Sequence, residues 1–457
     1  MTRSSATLRG EFGLQLRLAL PIAFVQIGMV AMGVVDTFVC GRLPEGAARQ
    51  LAVGAVSLGH TFTFLPLMFG MGILMVLDPL VSQAVGARDR SAVELAVHRS
   101  IPLIGLISLP SLLTVLFAAP LLRLLGQPPE LIPIAVDYAW AVLPSVPFFY
   151  GFMALRLPLQ AQHRLRPLVV AIVLANVLNL GLNFVLVQGL FGFPQMGAVG
   201  SGVATSLVRV AMFGLLAWFA RHELGVPLWP LRPEARSWKS TWSFLLLGLP
   251  IGLQMLIEGG AFHAIAIMMG WFGKNVLSGH MVTLHYAALA FMVPMGISQA
   301  AAVRVGYEIG AGNEQRMRRA AWVATLLGTL VMCGAATIFV LLPEELAWLI
   351  APDEEIVRVA ALLLPIAGAF QIVDGLQVVA TGALRGAGDF RAAMLLHLLG
   401  FWGLGIPVGV LLTFGLDIGP EGLWMGLAAG LFGTGLLLLL RMRLLLARGV
   451  GRLDASE

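Results

Sequence analysis

The chain has 457 residues, 58% of them hydrophobic and 12% charged, with a mean hydropathy of +0.90 and a net charge of +5. Soluble domains run nearer about 45–50% apolar and about 25% charged, so a water-soluble globule of this composition could not cover its own surface. The basic excess, with a pI near 9.7, is scattered through short loops, a pattern that argues against a nucleic-acid partner and marks membrane topology.

Apolar runs of about 20 residues are long enough to cross about 30 Å of hydrocarbon as helices. They predict twelve spans, at 13–39, 51–77, 94–119, 134–157, 167–188, 197–220, 243–270, 280–303, 319–342, 358–382, 392–414 and 422–441. The first run continues past residue 35, too long for the apolar core of a cleavable signal peptide despite the leading Arg3, Arg9 and Arg17. Two cysteines, Cys40 and Cys333, suggest neither a disulfide framework nor a four-ligand metal site.

Even-numbered loops hold most of the cations: Arg88, Arg90 and Arg99; Arg156, Arg164 and Arg166; Arg221, Arg232, Arg236 and Lys239; Arg304, Arg316, Arg318 and Arg319; Arg385 and Arg391. With the basic termini, about 23 of the 29 cations fall on one side and about 4 on the other. The richer side is therefore expected to be cytoplasmic, with both termini inside and an even number of spans in a plasma (inner) membrane.

The connector 221–242 is the longest polar stretch and lies near the midpoint, so it reads as a cytoplasmic linker between an N-lobe (1–220) and a C-lobe (243–457). The halves resemble each other. Leu20-Pro21-Ile22 returns as Leu249-Pro250-Ile251 at an offset of 229, and Val85-Gly86-Ala87 as Ile309-Gly310-Ala311 at 224. Leu143-Pro144 returns as Leu364-Pro365, and Arg164 as Arg385, both at 221. Six spans per copy give parallel repeats. The expected fold is an all-α integral membrane protein of twelve transmembrane helices in two pseudo-symmetric six-helix bundles, an architecture that favours a substrate cavity near the midplane and alternating access by rocking.

Ionisable groups inside spans cost at least about 2.5–3.5 kcal/mol on insertion scales and are functional candidates by default. Three stand out: Asp36, Glu258 and Asp374. Gln371, Gln377 and Thr381 share the helical face of Asp374, and Gln254 precedes Glu258 by four residues. Asn176, Asn179 and Asn183 form an amide ladder in the fifth span, while Met29 and Met32 share the face of Asp36. Such acids can simply pair with buried cations, and amide ladders can simply bind helices together. The spans offer no other deep cation than Arg209, so the three acids are expected to lack fixed partners and to take up a proton or a metal cation. Asp78, Asp137, Glu308 and Arg209 sit toward span ends and read as structural. Among the span histidines His60, His263 and His285, the last is singled out because its span should pack near Glu258. A phosphate-binding loop of the Walker type is absent, and no catalytic constellation or cofactor motif is apparent, so transport driven by an ion gradient or passive transport is expected rather than an enzyme.

Several segments together resemble the multidrug and toxic compound extrusion (MATE) family: Pro21 to Gly41, Asn179 to Thr205, Leu249 to Glu258, Arg304 to Gly312, and Phe370 to Asp389. The resemblance implies a twelve-helix, two-lobed antiporter that expels small cationic or amphipathic compounds in exchange for H+ or Na+. It further implies no other cofactor, no nucleic-acid partner and a monomer in the lipid bilayer. Glu258 and Asp374 match the C-lobe acids of the NorM-like branch and become candidate Na+ ligands. Asp36, Asn179, Asn183 and Thr205 match a cation or proton site in the N-lobe. Asn183, where DinF-like members tend to have Asp, favours the NorM-like branch. Phe370 stands where NorM-like proteins often have Tyr, and His285 where Asn is common; both departures lean toward proton coupling. The alternative of a lipid-linked precursor flippase would call for a cationic cavity, whereas the acids here favour an exporter.

Overall fold

The computed structural model describes residues 8–43 and 47–453, which are helical apart from turns and short connectors, with no strand among the described residues. The twelve spans expected from hydropathy are all present as helices: α1 Leu8–Cys40, α2 Gly54–Gly86, α3 Arg90–Leu116, α4 Leu131–Ala161, α5 Arg166–Gln188 and α6 Gly197–Glu223, followed by α7 Trp238–Gly270, α8 Lys274–Gly310, α9 Glu314–Leu341, α10 Glu354–Gly386, α11 Phe390–Gly415 and α12 Glu421–Arg448. Most run past the hydropathy limits. The backbone ladder continues into polar turns after the apolar run has ended, as in α8, whose 37 residues exceed the predicted 280–303 at both ends.

Local sequence explains the ends. The Asn313 side chain caps α9 by accepting from Arg316 N at 3.1 Å, and Asp353 caps α10 by accepting from Glu355 N and Ile356 N at 3.1 and 3.2 Å. α4 contains a tighter 3₁₀ turn at Leu143–Ser145. α11 is π-helical over Leu398–Gly405 and Leu411–Gly415. There its glycines meet those of α12: a Cβ on Gly405 would lie 3.2 Å from the Gly426 carbonyl oxygen and from Gly430 Cα, so only small residues permit this approach.

Two compact units emerge. One comprises Ile27–Leu77 and Arg90–Gly252; the other comprises the chain up to Gln26, Asp78–Asp89 and the chain from Leu253 onward. α1 and α7, the helices that carry the repeated Leu-Pro-Ile, each contribute one part to each unit. In the N-terminal unit the connector after α6 is tied to α3: His98 Nε2 lies 2.8 Å from Pro227 O, and Arg232 N donates to His98 Nδ1 at 3.1 Å. In the C-terminal unit a core of Met269, Leu364, Phe370, Phe401, Trp424 and Leu427 surrounds the parallel-stacked rings of Phe370 and Trp424, 5.6 Å apart.

Charge counting places Arg156, Arg304 and Arg385 in loops; the structure corrects this, for all three are helical and buried. Covered by neighbouring helices, these side chains do not snorkel to water. Arg304 is fully buried and answers the question of partners directly: its Nε and NH2 donate to Glu11 at 3.0 and 2.9 Å, and NH2 also donates to Glu308 at 2.7 Å. Gln15, one turn from Glu11, donates to Ala320 O at 3.3 Å. The first turns of α1 are thus fastened to α8 by a dry, bidentate ion pair and to α9 by a hydrogen bond. Removing one member of such a pair strands buried charge at a cost of about 3–5 kcal/mol. Arg304→Met is accordingly expected to lower the melting temperature of the purified protein by many degrees, and Arg318→Met, at an exposed pair, to leave it nearly unchanged. Equal melting temperatures for the two variants would contradict the assignment.

Candidate functional site

In the N-terminal unit, α1, α5 and α6 converge on Asp36. The approach of α1 to α5 depends on Gly28, where a Cβ would come within 2.6 Å of Ile172 Cγ1 and 3.3 Å of Asn176 Nδ2. Two turns further along, Asn179 and Asn183 donate to Asp36 Oδ1 at 3.1 and 2.8 Å, and Thr205 donates to Oδ2 at 2.9 Å. Asn183 Nδ2 also reaches the backbone carbonyl of Asn179 at 2.9 Å, which locks the ladder. All but Thr205 are buried, Asp36 at 4% exposure. The remaining amide oxygens, Asn179 Oδ1 and Asn183 Oδ1, have no hydrogen-bond partner among the described residues.

In the C-terminal unit, a single amide joins two acids. Gln377 Nε2 donates to Asp374 Oδ1 at 3.1 Å and to Glu258 Oε1 at 3.2 Å. α9 and α10 come together at Gly328 and Gly375, each facing the other's carbonyl oxygen at 3.2 and 3.0 Å from its Cβ position, which seats Asp374 at close quarters. Glu258 is half-buried and Asp374 is buried. His397 completes the cluster: Nδ1 lies 2.7 Å from Ala393 O, so Nδ1 carries the proton, and Nε2 faces Gln254 Nε2 at 3.4 Å and Glu258 Oε2 at 4.0 Å. The oxygens Gln377 Oε1, Gln371 Oε1 and Thr381 Oγ1 are buried without hydrogen-bond partners among the described residues.

Among the described residues, none of the three carboxylates has a Lys or Arg within the 4.0 Å of an ion pair, and no group of three or more His, Cys, Asp and Glu side chains is arranged around a metal position. Other predicted members lie apart. Asn176 donates to Gly28 O and Ile172 O at 3.0 and 2.8 Å, binding helices rather than Asp36, and Gln371 donates to Ala287 O at 3.4 Å. His285 is exposed and forms no hydrogen bond or ion pair with Glu258 among the described residues, and the Met29 sulfur accepts from Arg156 NH1 at 3.5 Å. Sequence reasoning missed His397, although it gave the same signal as His285, an imidazole inside an apolar run. It also set aside Arg209, which lies four residues after Thr205 on α6; NH1 donates to Ser145 Oγ at 3.2 Å and the guanidinium lies 5.0 Å over the Phe149 ring.

A family model described as MatE matches residues 21–185 and 250–411. The chain belongs to the MatE family. The two matched stretches begin at Pro21 and Pro250, the same pair that opens the internal repeat. A probable multidrug resistance protein NorM of Bradyrhizobium diazoefficiens is 36% identical over 456 residues, which cover 97% of this MatE chain and 96% of the relative. The multidrug resistance protein PmpM of Pseudomonas aeruginosa is 34% identical over 453 residues, covering 95% and 92%. The fold matches the crystal structure of the eukaryotic MATE transporter AtDTX14 with a TM-score of 0.86 at 22% identity, covering 96% of each chain. It matches an outward-facing MATE transporter of the MOP superfamily equally well, at 18% identity over 98% of this chain and 99% of the other.

A double-mutant cycle tests the N-terminal cluster. Thr205→Val and Asp36→Asn are expected to couple by about 0.5–3 kcal/mol in the stability of the purified protein, the range for residues in direct contact. Additive effects would show that hydroxyl and carboxylate do not act as a pair.

Proposed function

We propose that this MatE protein is a multidrug efflux antiporter that exports small cationic or amphipathic compounds in exchange for H+ or Na+. The observation that carries the proposal is the pair Glu258 and Asp374, two acids joined by one neutral amide, with no Lys or Arg in ion-pair range among the described residues. A buried carboxylate needs compensation, and neutral donors supply only part of it. An exchangeable cation supplies the rest. For Na+, a hard ion, the carboxylates and the uncommitted oxygen of Gln377 are suitable ligands; for H+, the acids alone suffice.

Ion and drug then alternate at one seat. Occupation by H+ or Na+ neutralises the acids and weakens their hold on a cationic drug, which leaves to the outside. After the lobes rock, the ion dissociates into the cytoplasm, and the recharged acids attract the next cation among Met and aromatic side chains. Coupling of this kind is reciprocal: whatever factor the ion imposes on drug affinity, the drug imposes on ion affinity. The excess of cations in the even-numbered loops supports this reading with both termini in the cytoplasm and the protein acting as a monomer in the plasma membrane.

Asp36→Asn, Glu258→Gln and Asp374→Asn are each expected to cut ethidium efflux by about tenfold or more while the protein still reaches the membrane, since losing one partner of a desolvated charge pair costs about 2–5 kcal/mol. Unchanged efflux in all three variants would refute the proposal. In reconstituted vesicles, efflux should follow an imposed pH gradient or an imposed Na+ gradient; transport indifferent to both would refute coupling.

A further inference from the structure

The repeated Val85-Gly86-Ala87 and Ile309-Gly310-Ala311 have no part in the exchange described above, yet the two copies meet in the C-terminal unit. A Cβ on Gly86 would overlap the Tyr307 carbonyl, and a Cβ on Gly310 would overlap the Gln83 carbonyl. Gln83 and Tyr307 are themselves related by the offset of 224, so the contact is reciprocal: each glycine admits the backbone of the other copy.

The two helices that meet there are not equivalent. α8 runs unbroken over Lys274–Gly310. α2 is interrupted by a turn at Met75 and Val76, where Met75 N is shared between Met71 O at 3.2 Å and Gly72 O at 3.1 Å, and Val76 N donates to Ile73 O at 3.3 Å. Just after this break, between Leu77 and Asp78, the chain passes from one compact unit to the other. The remainder of α2, Leu77–Gly86, is a helix of 10 residues, buried as far as Ala84. A free helix shorter than about 12–15 residues is marginal in water, so this piece depends on its docking for its form.

The segment that follows α12 fastens it. Gln83 is buried; its Nε2 donates to Gly386 O on α10 at 3.0 Å, and its Oε1 accepts from Leu453 N at 2.7 Å. Arg452 NH2 donates to Asp89 Oδ2, just past the end of α2, at 2.8 Å. The Leu453 side chain sits over Gly388, with Cδ2 2.7 Å from the Cβ position of that residue, whose φ is +82°. Val450 packs on the core formed by Met317, Met442 and Leu446. One side chain, Gln83, thus ties α2 to α10 and to the end of the described chain at once.

We propose that Leu77–Gly86 is a hinged gate that swings about Met75 and Val76, and that Arg452 and Leu453 form a latch that holds it docked on α8 and α10. The latch is an inhibitory contact: each opening must first break it. The inference goes beyond the efflux reading, since it concerns how often the carrier opens and not what it carries.

Hydrogen exchange in purified full-length protein and in a variant ending at Gly449 reads the gate without transport. Amides of residues 77–86 are expected to exchange about tenfold faster in the shortened protein, while those of 166–188 keep the wild-type rate. Arg452→Gln, which gives up only a partly exposed ion pair, is expected to speed exchange at 77–86 by about two- to fivefold. Unchanged exchange at 77–86 in the shortened protein overturns the latch, and so does an equal rise at 166–188, which would mark general loosening. A second measurement needs no variant: the Leu453 amide of the wild-type protein should exchange about tenfold more slowly than in a free peptide of the same sequence, and equal rates overturn the proposal. In vesicles the shortened protein should export ethidium about two- to fivefold faster than wild type. Faster exchange at 77–86 without faster efflux overturns the inhibitory role. Wild-type protein that exports nothing overturns the efflux reading instead, and the exchange measurements still decide the latch.

Discussion

A carboxylate that leaves water must be met by hydrogen bonds, by a fixed cation or by a cation that comes and goes. Carboxylates with a fixed cation and carboxylates met by neutral hydrogen-bond donors both occur in this chain. Glu11 and Glu308 share Arg304 in a dry cluster whose hydrogen bonds are 2.7–3.0 Å long, and nothing is left for an exchangeable ion to do there. Among the described residues, Asp36, Glu258 and Asp374 instead form hydrogen bonds or close polar contacts with amides, a hydroxyl and an imidazole. In the proposed mechanism the same side-chain type serves structure in one place and ion exchange in another, and the difference is the partner.

The repeat builds the scaffold but not the chemistry. At the offset of 229 that relates Pro21 to Pro250, the counterpart of Glu258 is Met29; at the offset of 221 that relates Arg164 to Arg385, the counterparts of Asp374 and Gln377 are Met153 and Arg156. Those three residues are also clustered, with Arg156 NH1 at 3.5 Å from Met29 Sδ and 3.7 Å from Met153 Sδ. Where one unit joins two acids through an amide, the other sets a guanidinium between two thioethers. A pseudo-symmetric fold therefore carries seats of opposite character, and the N-terminal unit places its own acid elsewhere, against the amides of α5. That asymmetry suits the proposed exchange of a driving ion for chemically varied cargo.

Hydropathy alone revealed the twelve spans, because runs of about 20 apolar residues admit one reading in a bilayer. Periodicity revealed much of each site: Asn179 and Asn183 share a face, and Gln377 follows Asp374 by three, contacts set within one helix. What could not be read was rotation and pairing between distant helices. His285 is exposed although its span was expected near Glu258, since a helix may pack close while turning a given residue away. His397 lies 4.0 Å from Glu258 at a sequence separation of 139, and Glu11 meets Arg304 at a separation of 293, neither signalled by local spacing. Arginines near span ends were equally ambiguous: snorkelling and burial look alike until neighbouring helices are in place.

Equilibrium binding of ethidium to the purified protein, measured across a series of Na+ and H+ concentrations, tests the shared seat most directly. Competition is the predicted result: the apparent Kd rises with one of the ions while binding capacity is retained, and the rise disappears when Glu258 and Asp374 are both replaced by their amides. Binding of unchanged affinity at every concentration of both ions would contradict it, because drug and ion would then occupy separate places.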